Sequence, residues 1–385
     1  FGARADGVAL DTPALQAAID ACHTAGGGVV RCGAGVYRTG SIELKSHVEL
    51  YLGPGCRIVG SADIKDYKIL ESPGFDHSQA NERTAYYLIG ARHACQVAIT
   101  GPGEIDAAGQ AFYDQSAPLK KSGQFAVKPD LRPRLAMFHK CTDLRIAEAT
   151  FRDSPCWTFW LMCCERVQVR GIKIFCDRRI INGDGIDVDA CRDITISDCI
   201  IHAQDDCLVF RAIQKVHEAP AICENFAVTN CVLSSDRGSI RISCPSDHIV
   251  RNGVFSNLTI SGPHHGIAMH FPRRFLGKDG RGGADVHDLL FSNISIECGR
   301  APIRMIIEEG IKLTRVSGIT FANMRIKSDM PCQLEGSSQT PIEDVTFDNV
   351  RIQTSGEQGI ILRNCRGIRM NNVELDYLEA ANRHA

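Results

Sequence analysis

The chain lacks the features that would point to a membrane or a nucleic acid. Its longest nearly apolar run, Pro155 to Cys164, is far too short to span a bilayer. The net charge is -2 and there is no polybasic tract, which argues against nucleic acid and against an anionic membrane surface as partners. The opening residues Phe1-Gly2-Ala3 contain no basic and apolar signal segment. We expect a secreted or periplasmic protein whose signal has been removed, with a cytoplasmic location as the alternative.

Metal-binding cysteine pairs are also missing, although the chain has 18 cysteines. None of them forms the C-x2-C pair of a zinc site, and Cys163 and Cys164 are adjacent. Several cysteines recur at one phase of the repeat described next, which favours a buried stack of free thiols. Disulfides in an oxidising compartment are the alternative. We expect no metal and no cofactor, and the sequence leaves the oligomeric state open.

A repeat of 23 to 36 residues runs through the middle and end of the chain. Each member has apolar residues at alternate positions and is rich in β-branched residues, as a strand with one buried face requires. The nine members begin at Cys141, Cys164, Cys191, Cys223, Ile249, Val286, Val316, Ile342 and Cys365, and spacings are counted from these anchors, with Val250 as the anchor of the fifth member. Tandem units of this length, each with short strands and turns, predict a solenoid.

The predicted fold class is all-β, a right-handed parallel β-helix forming a single domain over residues 1–385. The clearest tandem coils span about residues 141–380. An Asn recurs at the seventh position past the last six repeat anchors, where it would tolerate a left-handed backbone at a strand corner and could form an amide ladder. These residues are Asn230, Asn257, Asn293, Asn323, Asn349 and Asn372.

The N-terminal part, about residues 1–30, predicts a cap. Asp11-Thr12-Pro13 followed by Ala14 to Cys22 indicates a helix with an Asp N-cap, ended by three glycines from Gly26. Such a helix would close the open end of the solenoid, where strand edges would otherwise be exposed. The segment from about Asp76 to Lys128 is less patterned, and we expect long loops there.

Acidic residues fall at one phase of successive repeats. Asp184 and Asp187 belong to the run NGDGID, and Asp205 and Asp206 follow about twenty residues later in QDDC. The apolar Ile186 should point inward while Asp187 points outward. At the phase of the Asp pair, the next two repeats carry Arg237 and then His264 and His265. The register therefore predicts a row of charged side chains on consecutive coils.

Clustered carboxylates cost stability unless they bind a cation or perform chemistry. An inverting glycosidase needs one carboxylic acid to protonate the leaving oxygen. It needs a second carboxylate, about 6.5–9.5 Å away, to activate water. The row is therefore a candidate groove for cleaving an oligosaccharide or polysaccharide.

At this point the sequence resembles glycoside hydrolase family 28, the polygalacturonase-like enzymes of the pectin-degrading β-helix class. The similarity covers nearly the whole chain, from the opening FGARADG through Ser154-Pro155-Cys156-Trp157 to NGDGID and QDDC. The resemblance implies that Asp205 is the general acid and that Asp184 and Asp206 hold and activate the attacking water. Asp187 matches a position that lines the substrate site.

Three departures from the family pattern bear on specificity. Gln204 replaces the usual Gly before the Asp pair, and Arg237 stands where the family has an assisting His. The Arg-x-Lys motif that recognises a galacturonate carboxylate aligns with Ala268-Met269-His270, which removes both long cations. Arg237, His264, His265 and His270 are therefore candidates for binding a different anion or a neutral sugar.

The sequence favours a glycoside hydrolase that cleaves a pectin-related or other saccharide by inversion, with specificity diverged from galacturonan. One alternative is a β-helix lyase, with Arg237 as the base and calcium bridging a uronate, or a fructan-type transferase. Another is a carbohydrate-binding β-helix without catalysis.

Overall fold

The computed structural model describes residues 1–80, 82, 84–127, 132–217, 220–277, 280 and 282–377. The chain forms two compact units. The first comprises Phe1–Asp205 and a short segment from Lys215, and the second comprises Asp206–Gln214 and the rest of the chain. The single domain over residues 1–385 stays a prediction.

The first unit contains one α-helix and 21 short strands in its described residues. They are β1 (Asp6–Leu10), α1 (Thr12–Thr24), β2 (Gly28–Cys32), β3 (Gly35–Thr39), β4 (Ile42–Glu43), β5 (Val48–Leu52), β6 (Cys56–Gly60), β7 (Lys68–Ile69), β8 (Tyr86–Arg92), β9 (Ala98–Thr100), β10 (Glu104–Asp106), β11 (Tyr113–Asp114), β12 (Ala126–Val127), β13 (Arg134–His139), β14 (Arg145–Ala147), β15 (Thr150–Arg152), β16 (Phe159–Met162), β17 (Glu165–Arg170), β18 (Lys173–Phe175), β19 (Ile186–Asp189), β20 (Arg192–Ser197) and β21 (Ile200–Ala203). Short 3-10 helices span Ile64–Asp66, His77–Gln79 and Gly109–Phe112.

Eighteen of these strands form three parallel stacks, whereas β7 pairs antiparallel with β8 and β11 pairs antiparallel with β12. One stack runs β1-β3-β6-β10-β15-β18-β21, and a second runs β2-β5-β9-β14-β17-β20. The third stack, β4-β8-β13-β16-β19, carries the site described below. This arrangement is a right-handed parallel β-helix, so the predicted fold class is confirmed.

The second unit continues with β22 (Leu208–Arg211), β23 (Ile222–Thr229), β24 (Val232–Ser235), β25 (Gly238–Ile242), β26 (Ile249–Gly262), β27 (His265–Phe271), β28 (Asp285–Cys298), β29 (Ile303–Ile307), β30 (Arg315–Ser328), β31 (Cys332–Glu335), β32 (Ile342–Thr354), β33 (Ile360–Arg363), β34 (Cys365–Arg366) and β35 (Arg369–Tyr377). A 3-10 helix spans Arg273–Phe275. The longer stack is β23-β26-β28-β30-β32-β35, and the shorter strands stack as β22-β25-β27-β29-β31-β33.

The predicted repeat register is confirmed in the second unit. The anchors Val250, Val286 and Val316 lie opposite one another on consecutive coils. Five positions past Val250, Phe255 begins a row of stacked rings that continues through Phe291, with centroids 4.7 Å apart. The same row extends through Phe321 and Phe347 at 5.2 Å spacing. Identical phase in the sequence therefore becomes direct stacking in the core, because parallel strands pair in register.

The Asn corners also behave as the sequence predicts. All six have a positive φ between 49° and 56°. Their amides bond from coil to coil, from Asn257 to Asn230 at 3.3 Å, from Asn293 to Asn257 at 3.2 Å and from Asn349 to Asn323 at 2.8 Å. Each amide therefore satisfies its neighbour at a bend where a side chain with a Cβ is otherwise strained.

The N-terminal helix caps the first unit as predicted, but its start differs in detail. Leu15 and Ile19 are buried, and the Gln16 amide bonds both the N–H and the carbonyl of Glu43 on β4. The helix thereby satisfies an otherwise unpaired strand edge. The Asp11 carboxylate makes no hydrogen bond to the helix and accepts from the N–H groups of Arg4 and Ala5 instead. The Asp side-chain cap was therefore a wrong prediction.

The region from residue 76 to 128 contains more regular structure than predicted. β8, β9 and β10 belong to the parallel stacks, so the prediction of long loops is wrong for residues 86–106. Residue 128 lies outside the described residues. All 18 cysteines fall within the described part of the chain and are free thiols, most of them buried. No helix in the described residues is long and apolar enough to cross a membrane.

Candidate active site

Two carboxylates of the predicted catalytic set meet in the first unit. Asp184 lies two residues before β19, and Asp205 lies two residues after β21. The N–H groups of Gln204 and Asp205 both donate to the Gly183 carbonyl, at 3.0 and 3.2 Å. One carboxylate oxygen of Asp184 and one of Asp205 lie within 4.8 Å of each other. Asp184 is buried and Asp205 is partly exposed, so Asp205 is the carboxyl group that a ligand reaches more easily.

The replacement of the usual Gly by Gln204 does not disturb this approach. The Gln204 side chain is buried and packs against Gly183, where an added Cβ would lie 3.1 Å from the Gln204 Cβ. A glycine at 183 therefore makes room for the larger residue at 204. The carboxylates keep their proximity because the two segments remain joined through the Gly183 carbonyl.

A buried hydrogen-bond network holds the residues just before Asp184. The Tyr113 hydroxyl lies 2.9 Å from the Ile181 carbonyl, and the Arg132 guanidinium donates to the same carbonyl at 3.0 Å. Arg132 also donates to the Asn182 side-chain oxygen at 3.1 Å. Asn182 has a left-handed backbone, with φ of 57°. This network positions the turn that presents Asp184, and neither Tyr113 nor Arg132 was singled out from the sequence.

Asp206 directly follows Asp205 in the chain and is the third residue of the predicted catalytic set. Within the second unit, Asp206 lies beside Gly238, where an added Cβ would stand 2.8 Å from its Oδ1. The Arg241 guanidinium lies 3.7 Å from Asp206 Oδ2. The Cys244 sulfur raises the pKa of Arg241, burial opposes this, and the Asp206 carboxylate adds to the increase. A nearby cation favours the ionised form of Asp206.

The register of the predicted charged row is confirmed on the coils of the second unit. Gly238 on one coil lies opposite His265 on the next. The residues before them, Arg237 and His264, therefore occupy matching positions on the same two coils. The Arg237 side chain is exposed, and its carbonyl accepts the His265 N–H at 2.9 Å. The coil partner of His265 is thus a glycine, which leaves space above the imidazole.

His264 and His265 form a half-buried pair of neutral rings. Their centroids are 4.4 Å apart in an edge-to-face arrangement. Burial lowers the pKa of His264, and the charges of Arg300 and Arg237 lower it further. Burial and the neighbouring His264 lower the pKa of His265 to about 4. His265 Nδ1 lies 3.1 Å from the Ala301 carbonyl. Both rings are therefore neutral near pH 7 and serve as hydrogen-bonding groups rather than cations.

His270 belongs to a cluster of arginines. Burial lowers its pKa to about 3, with further contributions from Arg304, Arg241 and Arg274. Arg304 lies 3.5 Å from His270 Nε2. On the shared stack, Ala268 pairs with Arg241 on one side and with Arg304 on the other. The cation missing at position 268 is thus replaced on both neighbouring coils.

Arg304 was not singled out from the sequence. Only the strand register indicates its place in the site, because Arg304 on β29 pairs with Ala268 on β27. Burial lowers the pKa of Arg304, and the charge of Arg241 lowers it further. Among the residues that the structure describes, no carboxylate lies within 4 Å of the Arg304 guanidinium. A bound anion would stabilise this pair of like charges.

Asp187 lies on β19 and is buried together with Asp189, at 2% and 1% exposed. The sequence predicted an outward side chain but did not predict this burial. Burial lowers the pKa of Arg134, while the opposing charges of Cys156 and Asp187 raise it. The Arg134 guanidinium lies over the Trp160 ring at 4.4 Å. Asp187 therefore offsets the charge of a buried cation, and its role in substrate binding stays a prediction.

Known proteins resemble this chain in sequence and in fold. The family described as Glycosyl hydrolases family 28 matches residues 72–383. A "Probable polygalacturonase" of Vitis vinifera is 29% identical over 220 residues, covering 55% of this chain and 43% of that protein. The chain spans about half the length of the first curated relatives that it matches.

Solved structures show the fold. The polygalacturonase from Erwinia carotovora ssp. carotovora matches with a TM-score of 0.69 and 20% identity, covering 93% of each chain. The exopolygalacturonase from Thermotoga maritima matches with a TM-score of 0.68 and 19% identity, covering 98% of this chain and 90% of that one. At these identities the likeness concerns the parallel β-helix alone.

Proposed function

This chain belongs to glycosyl hydrolases family 28, and on that premise we propose that it cleaves the O-glycosyl bonds of a pectin-related or other oligosaccharide or polysaccharide. The observation that carries the proposal is the approach of Asp184 and Asp205 to within 4.8 Å, with Asp206 next in the chain. The proposed partner is therefore a saccharide. The chemistry is acid and base catalysis by carboxyl groups, which needs no cofactor.

We propose Asp205 as the general acid. Its partial exposure lets it meet a glycosidic oxygen, while the buried Asp184 beside it disfavours ionisation of both carboxyls. A carboxyl that keeps its proton near neutral pH can donate it to the leaving group.

Asp206 is the proposed base that activates water, in company with Asp184. The guanidinium of Arg241 at 3.7 Å favours the carboxylate form of Asp206, which is the form that accepts a proton from water. Opposite protonation states on neighbouring residues are what single-step displacement requires.

Inversion is proposed from the family resemblance. Oxygen atoms of Asp184 and Asp205 within 4.8 Å are closer than the roughly 6.5–9.5 Å between carboxyl groups of typical inverting enzymes. Retaining enzymes have about 5–5.5 Å between the groups, so this spacing does not itself support inversion. The anomer of the first product distinguishes the two mechanisms.

Specificity is proposed to have diverged from galacturonan while still favouring an anionic sugar. Ala268 and His270 replace the two cations of the family motif, but Arg241 and Arg304 flank position 268 on the adjacent coils. A carboxylate placed there would meet guanidinium groups from a direction different from that of the family motif. The neutral His265 and the exposed Arg237 are proposed to contact the sugar hydroxyls or a second anionic group.

The test is product release from a panel of pectic and neutral oligosaccharides, read by mass and by proton NMR of the fresh anomer. Wild type, Asp205→Asn and the control Asp348→Asn, an exposed Asp on β32, are compared with circular dichroism as the fold readout. We expect a saturated, inverted product and a loss of about 100- to 10,000-fold in Asp205→Asn alone.

Each other outcome has a definite meaning. Full activity in Asp205→Asn removes Asp205 as the acid. A retained anomer overturns inversion and an unsaturated product indicates a lyase. Saccharide binding without any product, unchanged in Asp205→Asn, indicates a binding protein.

A further inference from the structure

A second group of ligating side chains lies in the first unit, apart from the three catalytic carboxylates. His139 is the last residue of β13, and Cys163 follows β16 on the next coil of the same stack. His217 comes from the short segment beginning at Lys215, which pairs with Phe75 through an isolated bridge. One ligand atom from each of His139, Cys163 and His217 lies within 4.8 Å of the others.

In each histidine, the side chain of another residue lies close to one ring nitrogen, and the other ring nitrogen makes no close hydrogen bond. His139 is fully buried, its Nδ1 lies 2.6 Å from the Ser72 hydroxyl, and its Nε2 has no hydrogen-bond partner among the described residues. His217 is 8% exposed, and its Nε2 lies 2.9 Å from Asp189 Oδ2. Neither ring nitrogen of His217 makes a hydrogen bond of good geometry in the described part of the chain, and the Cys163 side chain interacts with the ring.

The Asp189 carboxylate is itself held in place. Trp160 donates its indole N–H to Asp189 Oδ2 at 3.1 Å. A carboxylate that orients a histidine through one ring nitrogen and frees the other is the arrangement that supports metal-ligating histidines. The Ser72 hydroxyl orients His139 in the same way, through its contact with Nδ1. Buried polar atoms without partners are rare and call for an explanation.

We propose that His139, Cys163 and His217 form a binding site for a transition-metal ion, with Zn²⁺ as the favoured ion. Two imidazoles and a thiolate are a donor set that suits zinc. Three protein ligands leave a fourth position, and the partly exposed Cys163 gives water access to it. Ligand atoms around tetrahedral zinc lie roughly 3.3–3.8 Å apart, and the three ligand atoms here, all within 4.8 Å of one another, are already close to that spacing.

The proposed ion would hold the segment around His217 against the coils that carry His139 and Cys163. The described ties of this segment include the Phe75 bridge, one backbone bond from Asp76 to Val216 and the contact of His217 with Asp189. Binding to the folded chain alone raises its stability. The proposal does not depend on hydrolase activity, and either one can fail without the other.

The experiment uses the full chain stripped with a chelator and then titrated with Zn²⁺ or Co²⁺. Bound metal per chain is measured by mass spectrometry after buffer exchange, the cobalt–thiolate absorption is recorded, and Tm is followed. Variants are Cys163→Ser and His217→Gln. The matched control is Cys95→Ser, since Cys95 Sγ lies 3.7 Å from a single imidazole, that of His47.

We expect one ion per chain and a Zn²⁺-dependent rise in Tm for wild type and Cys95→Ser. Cys163→Ser and His217→Gln should bind at least tenfold more weakly and lose the cobalt–thiolate band. Failure of wild type to bind either ion, or unchanged binding in Cys163→Ser, overturns the proposal. Should the variants not fold, alkylation of Cys163 in wild type decides, because Zn²⁺ must protect that thiol; equal alkylation with and without Zn²⁺ overturns the site.

Discussion

The carboxylate of Asp206 lies directly against the backbone of Gly238, so close that a Cβ at position 238 would stand 2.8 Å from Asp206 Oδ1. Asp206 is thereby held between a glycine on the next coil and the Arg241 guanidinium. The proposed base consequently depends on a residue that has no side chain.

Replacing Gly238 with Ala should displace the Asp206 carboxylate while leaving the strand formed. We expect the hydrolysis rate to fall by roughly 10- to 100-fold, because a misplacement of about 1 Å at a reacting group has this effect. The control is Gly33→Ala, since a Cβ at Gly33 meets nothing within 4 Å. Equal rates for the two variants would show that the position of Asp206 does not limit the reaction.

Tyr113 should matter for activity as well as for stability. Tyr113→Phe removes the hydroxyl that contacts the Pro155 and Ile181 carbonyls, which we expect to lower the free energy of unfolding by about 1 kcal/mol. The turn before Asp184 would also loosen and slow the reaction. Tyr67→Phe removes a buried hydroxyl bond to Ser61 and serves as the control. If both variants are destabilised alike and both keep full activity, the network has no positioning role.

The Asn ladder predicts an order of stability at position 257. Asn257→Ala keeps a Cβ at φ of 55° and loses the amide bonds to Asn230 and Asn293, whereas Asn257→Gly loses the bonds but relieves the backbone. The left-handed conformation costs about 1–2 kcal/mol for a residue with a Cβ. Alanine should therefore be the less stable variant by about 1 kcal/mol in urea unfolding. Coincident unfolding curves would contradict this reading of the corner.

Acid should destabilise the fold partly through His270. Burial and the neighbouring arginines lower its pKa to about 3, while an unfolded histidine titrates near 6.5. The unfolded chain binds more protons between these values, so the stability present above about pH 6.5 is lost as pH falls toward 3. His270→Gln should therefore lose less stability than wild type between pH 7 and pH 4.5, by about 1–2 kcal/mol. Parallel pH profiles would show that His270 is not buried as a neutral group.

The repeat made much of the fold predictable because the pattern that defines each strand lies in residues that are close together in the sequence. Alternating apolar residues set the face of each strand, and a common phase sets which residues meet, as with Val250, Val286 and Val316. Regular coils in residues 86–106 were missed because their strands are short and do not share the anchor pattern.

Parts of the candidate site were predictable for the same reason. Asp184 and Asp205 carry a motif, and their register brings the carboxylates together. Arg304 carries no motif, and its place beside Ala268 follows only from the pairing of β27 with β29. Asp187 was predicted to point outward, but the sequence did not show that it is buried, beside the charge of Arg134 and opposite Trp160 on the neighbouring strand.

The sequence by itself determined the parallel β-helix, the phase of its coils and the Asn corners, because strand periodicity and left-handed turns depend on neighbouring residues. Tertiary structure alone decided which charges are buried, which cation stands beside Ala268 and that His139, Cys163 and His217 meet. His139 and Cys163 lie on consecutive coils of one stack, but His217 has no spacing relation to them, and only the packing of its segment onto the coils brings the three side chains together.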